Sequence, residues 1–156
     1  MVRWFKLRGG IVDRVLMDKL VEWKGKPRRK PLILNGARQV GKTWLLNEFG
    51  SSCFENVAYV NLDGNPAMRE QFELGYDIER IVSAIQFETG RVVREDKTLV
   101  VLDEIQERPK ALTSLKYFCE NAPGIAVAAA GSPLGLTAHE GTGYPVGKVD
   151  TLDLYP

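Results

Sequence analysis

A glycine-rich segment constrains the fold of this chain more than any other feature. Residues 36–43, Gly-Ala-Arg-Gln-Val-Gly-Lys-Thr, fill every position of the phosphate-binding loop pattern G-x-x-x-x-G-K-[ST]. The glycines allow a tight turn in which successive backbone N–H groups point at phosphates. Lys42 can reach the β- and γ-phosphates of a nucleotide, and the Thr43 hydroxyl can bind Mg²⁺. The predicted nucleotide-binding residues are Gly36, Ala37, Arg38, Gln39, Val40, Gly41, Lys42, Thr43 and Trp44.

The residues around this loop favour phosphate binding over an ordinary glycine turn before a helix. A phosphate-binding loop follows a buried strand and opens a helix, whose N-terminus attracts anions. Residues 31–35 form a short apolar run that predicts the strand. Residues 44–49 predict the helix, which we expect to end at Gly50 in the C′ position.

Size and charge narrow the class of protein. The 156 residues predict one domain able to bury a core. Because 21 Lys and Arg balance 20 Asp and Glu, the net charge indicates neither nucleic acid nor a membrane as a partner. The basic residues 28–30 are interpreted as a solvated loop. Cys53 and Cys119 fit no metal-ligand spacing and are predicted to be buried reduced thiols. Reduced thiols suit a cytoplasmic location, and the sequence has neither a secretory signal nor a membrane-spanning run.

Hydrophobic periodicity predicts alternating helices and strands. An amphipathic helix is predicted over residues 11–24, with Ile11, Val12, Val15, Leu16, Leu20 and Val21 at helical spacing. Further strands are predicted at residues 57–62, 98–102, 125–130 and 149–154, and further helices at 67–75, between Asp77 and Gly90, and from Pro109 to before Pro123. This alternation predicts a mainly parallel sheet with helices on both faces, whose ligands bind beyond the carboxyl ends of the strands.

An acidic pair follows the most strand-like run of the chain. Asp103 and Glu104 come directly after the apolar residues 99–102, which is the Walker B arrangement. Asp103 would hold Mg²⁺ through its carboxylate, and Glu104 would act as a general base on the attacking water. Helix capping is the alternative role for an acidic pair at a strand end, but the complete phosphate-binding loop upstream favours the metal site.

Three other polar residues have weaker signals. Ser132 follows the fourth strand, where it would either orient the γ-phosphate or water, the role called sensor 1, or belong to a strand-ending turn. Asp63 is interpreted as a turn residue, with the metal site as the alternative. His139 lies in a Gly-rich stretch and is interpreted as solvated.

Together these residues resemble the AAA+ ATPases, and within them a bacterial and archaeal family that carries a C-terminal nuclease-like domain. The resemblance lies in residues 34–43, 59–63, 102–106, 130–132 and 145–156. It implies an α/β P-loop NTPase three-layer sandwich with a mainly parallel five-stranded sheet of order 5-1-4-3-2. It also implies ATP and Mg²⁺ as cofactors, homo-oligomerisation by analogy, and functional roles for Lys42, Thr43, Asp103, Glu104 and Ser132.

The resemblance also implies parts that are missing here. Family members continue into a helical lid and a C-terminal domain, so we expect residues 1–156 to be a truncated ATP-binding core. These enzymes use an arginine to neutralise the transferring phosphoryl group, and no arginine follows Arg108. Lys148 could replace it, although a surface lysine is the favoured interpretation. We therefore expect slow hydrolysis.

The motifs favour a MgATP-dependent ATPase coupled to an effector that the sequence does not identify. A slowly hydrolysing nucleotide-gated switch has the same motifs and is the alternative. A small-molecule kinase is disfavoured because an acidic residue after the Mg²⁺ aspartate suits hydrolysis. A GTPase is disfavoured because the chain has neither the Asn-Lys-x-Asp guanine-reading sequence nor the Asp-x-x-Gly switch.

Overall fold

The computed structural model describes residues 11–36, 41–132 and 143–154. Strands and helices alternate along these residues, as the sequence predicts. The elements are α1 (Ile11–Lys24), β1 (Leu32–Gly36), α2 (Lys42–Cys53), β2 (Asn56–Asn61), α3 (Pro66–Glu73), α4 (Ile78–Thr89), β3 (Thr98–Asp103), a 3₁₀ helix (Ile105–Glu107), α5 (Pro109–Asn121), β4 (Ala126–Gly131) and β5 (Asp150–Leu154).

One parallel sheet organises the described residues. Its strand order is β2-β3-β4-β1-β5, so the expected order is confirmed. Each neighbouring pair is parallel, and β1 lies between β4 and β5. β3 and β4 are buried at every residue because strands and helices cover them on all sides. The carboxyl ends of β1, β3 and β4 therefore meet at one edge of the sheet.

Each face of the sheet has its own apolar core. On one face, α3, α4 and α5 pack their buried residues against alternate positions of the central strands. On the other face, α1 and α2 cover the intervening positions, with Phe49 in contact with Trp23 and Phe54. The caps predicted for α4 are confirmed, since Asp77 accepts a hydrogen bond from the Arg80 N–H and Gly90 follows the last turn.

The predicted end of α2 at Gly50 is wrong. The helix continues through Gly50 to Cys53, and the Phe54 N–H then donates to the Gly50 carbonyl. Gly50 is buried against the sheet, where an added Cβ would lie 2.3 Å from Val57 Cγ2 and 3.3 Å from Leu99 Cδ2. This glycine is needed for close helix–sheet packing rather than for ending the helix.

The buried side of α1 also differs from the prediction. Val15 and Val21 are 45% and 47% exposed, whereas Met17 and Trp23 are buried. Sheet contact selects the stripe of α1 that includes these two larger side chains, and β-branched residues on the outer side remain in solvent. The helix itself has the predicted bounds.

Two other predictions about side-chain environment need correction. The cysteines are not fully buried, because Cys53 and Cys119 both have intermediate exposure. Both thiols are free, and burial raises the pKa of the Cys53 thiol despite the opposing charge of Lys24. Within the basic triplet, Arg28 is exposed but Arg29 is not solvated, because its guanidinium lies in a structural network described below.

Candidate functional site

The predicted site residues meet at the carboxyl edge of the sheet, defined here by the ends of β1, β3 and β4. Gly36 ends β1, Asp103 ends β3 and Ser132 directly follows β4. Lys42 and Thr43, the last two residues of the loop pattern, begin α2. Gly41 precedes this helix with φ 92°, a left-handed conformation that favours glycine. The predicted strand therefore precedes the glycine-rich motif, and the predicted helix follows it.

Lys42 lies in the first turn of α2 and is 8% exposed. Its ammonium donates a hydrogen bond of 2.6 Å to the Gly36 carbonyl, across the mouth of the phosphate-binding loop. This contact holds the positive charge between the start and the end of the loop. Residues 37–40, which carry the predicted contacts of Ala37, Arg38, Gln39 and Val40, lie outside the described residues.

Asp103 is the most buried carboxylate of the site, at 4% exposure. The Thr43 hydroxyl donates to its Oδ2 at 2.6 Å, and the Tyr59 hydroxyl donates to the same oxygen at 2.5 Å. The backbone N–H of Glu104 donates to Oδ1 at 2.9 Å. Asp103 and Thr43, the two predicted metal-binding residues, are thus in direct contact.

Glu104 has an unusual backbone conformation, with φ 54° and ψ 45°. A non-glycine residue in the left-handed region costs roughly 1 kcal/mol and persists where surrounding structure enforces it. Here the chain leaves a buried strand and enters the 3₁₀ helix at once. The Glu104 carboxylate accepts a 2.5 Å hydrogen bond from Nε2 of Gln106, which is buried.

The remaining predicted residues fall in three places. Ser132 is half-buried at the carboxyl edge, where the register pairs the preceding Gly131 with Asn35 of β1. Asp63 is an exposed turn residue whose N–H is bonded to the Asn61 side chain, as the favoured interpretation predicts. His139 lies outside the described residues.

Lys148 lies at the opposite edge of the sheet. It precedes β5, whose first residue Asp150 pairs with Leu32 at the start of β1. Its ammonium is 3.5 Å from a carboxylate oxygen of Glu120, near the end of α5. Lys148 therefore does not belong to the carboxyl edge of its own chain, and it is the surface lysine of the favoured interpretation.

Sequence reasoning missed Tyr59. This residue lies inside β2, two positions before the strand end, so it has none of the usual signals of a strand-end polar residue. Burial, together with the hydrogen bond to Asp103, raises the pKa of the Tyr59 hydroxyl. The phenol therefore stays protonated at neutral pH and donates to the carboxylate. The one signal in the sequence was a tyrosine in β2, the strand that lies next to β3 and its terminal Asp103.

The donor set at this edge fits Mg²⁺. A threonine hydroxyl and a carboxylate are the hard oxygen ligands that this ion prefers. None of the ion pairs among the described residues includes Asp103, so a cation would offset a buried charge. The described part of the chain has no cluster of three or more His, Cys, Asp or Glu able to cage a metal. Mg²⁺ is usually held in this way, by one or two protein ligands together with substrate phosphates.

The fold and the strand–loop–helix unit define a P-loop ATPase architecture. The family model described as "AAA domain" matches residues 28–156, so this chain belongs to that family. No curated protein sequence matches the chain at a significant level.

Solved structures share the fold at low sequence identity. A Walker-type ATPase of Pyrococcus abyssi superposes with a TM-score of 0.55 at 16% identity, over 96% of this chain and 55% of that one. A Drosophila ORC structure bound to DNA gives 0.57 at 14% identity, over 93% and 92% of the two chains. The Orc1 protein of Aeropyrum pernix in complex with DNA gives 0.53 at 18% identity, over 92% and 44%. The chain thus spans about half the length of the Pyrococcus ATPase.

Within the described residues, no helix combines the length and the apolar character needed to cross a bilayer.

Proposed function

We propose that this chain binds MgATP and hydrolyses ATP. The observation that carries the proposal is the 2.6 Å hydrogen bond from the Thr43 hydroxyl to the Asp103 carboxylate. It joins the helix that follows the phosphate-binding loop to the end of the strand that carries the acidic pair. Two hard ligands beside a lysine at a helix N-terminus form a site suited to a metal-bound polyphosphate.

Each residue has a proposed part. Residues 36–44 surround the phosphates with backbone N–H groups, and Lys42 exchanges its bond to the Gly36 carbonyl for the β- and γ-phosphates. Thr43 and Asp103 hold Mg²⁺, which neutralises phosphate charge when bound. Glu104 accepts a proton from the attacking water. Ser132 orients the γ-phosphate or the water from the neighbouring strand end.

Two substitutions test this proposal. Lys42→Ala should lower the affinity for ATP at least about tenfold, because a charge-assisted hydrogen bond contributes roughly 1.5–3 kcal/mol. Glu104→Gln should keep ATP binding and lower turnover about 100-fold or more, which is the usual contribution of a general base. The exposed Lys110→Ala is the matched control for the lost lysine and should change neither quantity. Unaltered turnover in Glu104→Gln would refute the assignment of the base.

A slowly hydrolysing switch is the second candidate, and one contact favours it. The Glu104 carboxylate that would accept the proton is already held by the Gln106 side-chain amide. While that bond persists, the Gln106 amide competes with the attacking water for the Glu104 carboxylate. For a switch of this kind, Gln106→Ala should raise the turnover rate several-fold at unchanged ATP affinity. A turnover rate that falls instead would mean that Gln106 orients the base for catalysis.

The wider organisation is also a proposal. We place residues 1–156 in an ATP-binding core that acts in the cytoplasm, as a homo-oligomer, on an effector outside these residues. The C-terminal nuclease-like domain of the resembling family is one such effector. The ORC neighbours were solved with DNA, but the net charge of +1 gives no support to nucleic acid as a partner here. Light scattering with and without MgATP tests the oligomeric state.

A further inference from the structure

We propose that Tyr59 is a positioning residue of the metal site, whose hydroxyl fixes the Asp103 carboxylate and thereby sets the affinity for Mg²⁺. This inference rests on the proposed binding of MgATP. Tyr59 touches neither nucleotide nor metal in this role, since it acts through the carboxylate. Partners of this kind typically change metal affinity about 10- to 100-fold when they are removed.

Hydrogen bonds fix both oxygens of the carboxylate. Oδ1 accepts from the Glu104 backbone N–H, and Oδ2 accepts from both Thr43 and Tyr59. An ionised carboxylate oxygen has two lone-pair directions, so the two hydroxyls occupy Oδ2. The plane of the carboxylate is thereby defined, which is what a metal ligand needs before the ion arrives.

The three donors differ in how freely they can be altered. The Glu104 N–H belongs to the backbone, and Thr43 is itself a proposed metal ligand. The Tyr59 hydroxyl is the remaining donor, and its oxygen lies 2.5 Å from Asp103 Oδ2. Removing this hydroxyl alters the orientation of Asp103 without deleting any proposed ligand.

The sheet register explains why Tyr59 reaches this carboxylate. Tyr59 pairs with Val101 of β3, and Asp103 lies two residues further on, on the same face. A long aromatic side chain spans this diagonal distance. On the same face, Val57 packs against Gly50, so this glycine allows α2, which carries Thr43, to approach β2.

The test is Tyr59→Phe, which removes the hydroxyl and keeps the ring. Binding of Mn²⁺ to the ADP-bound protein is followed by electron paramagnetic resonance, and binding of a fluorescent ADP analogue is measured in EDTA. We expect Mn²⁺ affinity to fall about tenfold, with metal-free ADP affinity within about twofold of the unmodified chain. The matched control is Tyr117→Phe, a half-buried tyrosine that stacks on Tyr76 away from the site, and it should leave both affinities unchanged.

A double-mutant cycle shows whether Tyr59 acts through the carboxylate. Against an Asp103→Asn background, Tyr59→Phe should cause no further loss of Mn²⁺ affinity, because the group that it positions is gone. Additive losses would overturn the proposal, as would equal losses of ADP affinity with and without metal, which would mark a merely structural role.

The outcomes separate this inference from the proposed function. If the unmodified chain binds ADP and Mn²⁺ but Tyr59→Phe binds both equally well, the positioning role is wrong and the nucleotide site stands. If the unmodified chain binds neither ADP nor the Mn²⁺–ADP complex, the proposed function and this inference both fail.

Discussion

The two edges of the sheet both enclose a charged side chain, and they differ in how that charge is satisfied. The carboxyl edge holds Asp103, as described above. The amino edge, defined by the residues that precede β1, β3 and β4, holds Arg29, whose side chain is 8% exposed. Comparison of the two shows which charge the fold uses for stability and which it leaves available for a ligand.

At the amino edge, protein groups satisfy the cation. The Arg29 guanidinium donates to the carbonyls of Lys24 and Gly124 and to Asp96 Oδ1, at 3.1–3.3 Å. It also lies over the Trp23 ring, 5.6 Å from the centroid. These contacts tie α1 to the segments that enter β3 and β4, so Arg29 is a structural residue.

At the carboxyl edge, the buried anion is met by two hydroxyls and a backbone N–H. No ion pair in the part of the chain that the structure describes includes this carboxylate. A bound cation would supply the opposite charge that these neutral donors lack. The difference between the edges therefore predicts that stability depends on Arg29, whereas ligand binding depends on Asp103.

The largest expected effect is that of Asp103→Asn on metal binding. We expect the affinity for Mg²⁺ in the presence of nucleotide to fall about 100-fold, because a charged ligand is replaced by an amide of the same size. The free energy of unfolding should change by no more than about 1 kcal/mol, since the substitution also removes a buried charge. Metal titration and urea denaturation measure the two quantities. A loss of several kcal/mol in the free energy of unfolding would show that Asp103, like Arg29, mainly stabilises the fold.

The second effect is that of Arg29→Ala on stability. We expect a loss of about 2–3 kcal/mol, because two backbone carbonyls lose their donor and the ring of Trp23 loses its cover. Mg²⁺ affinity should stay the same. The adjacent exposed Arg28→Ala is the control and should change stability by no more than about 0.5 kcal/mol. Equal effects of the two substitutions in urea denaturation would mean that the Arg29 network contributes little.

The smallest effect is expected for Lys148→Ala. Its pair with Glu120 is partly exposed, so the loss should be below about 0.5 kcal/mol. Turnover should be unchanged, because Lys148 lies at the edge away from the proposed site. A tenfold lower turnover at unchanged nucleotide affinity would show that this lysine neutralises the transferring phosphoryl group. It would also contradict the proposal that all catalytic residues of this chain lie at the carboxyl edge.

Local patterns in the sequence predicted the elements of the fold well. Apolar runs without alternation indicated the buried strands β3 and β4, and Asp77 and Gly90 indicated the limits of α4. The predictions failed where a distant segment decides the environment. Gly50 looked like a helix end because its role in packing on Val57 cannot be seen in α2 alone.

The site residues also divide into those that a local sequence pattern indicates and those that depend on contacts between distant segments. The spacing of Lys42 and Thr43, and the acidic pair after an apolar run, were sufficient to indicate a nucleotide site. Whether they bind nucleotide stays a prediction. Tyr59 and Gln106 could not be assigned, because their importance comes from contacts with Asp103 and Glu104 that depend on strand register and on a left-handed residue.

The sequence by itself determined the glycine-rich loop pattern, the alternation of strands and helices, and the position of the acidic pair at the end of a buried strand. These features depend on residues close together in the sequence, because they follow from the conformational freedom of glycine and from the spacing of apolar side chains. Only the tertiary structure decided which charges are satisfied by the protein, as with Arg29, and which are held by neutral donors, as with Asp103. The physical reason is that desolvation and hydrogen bonding act between segments far apart in sequence, and the parallel sheet brings those segments together.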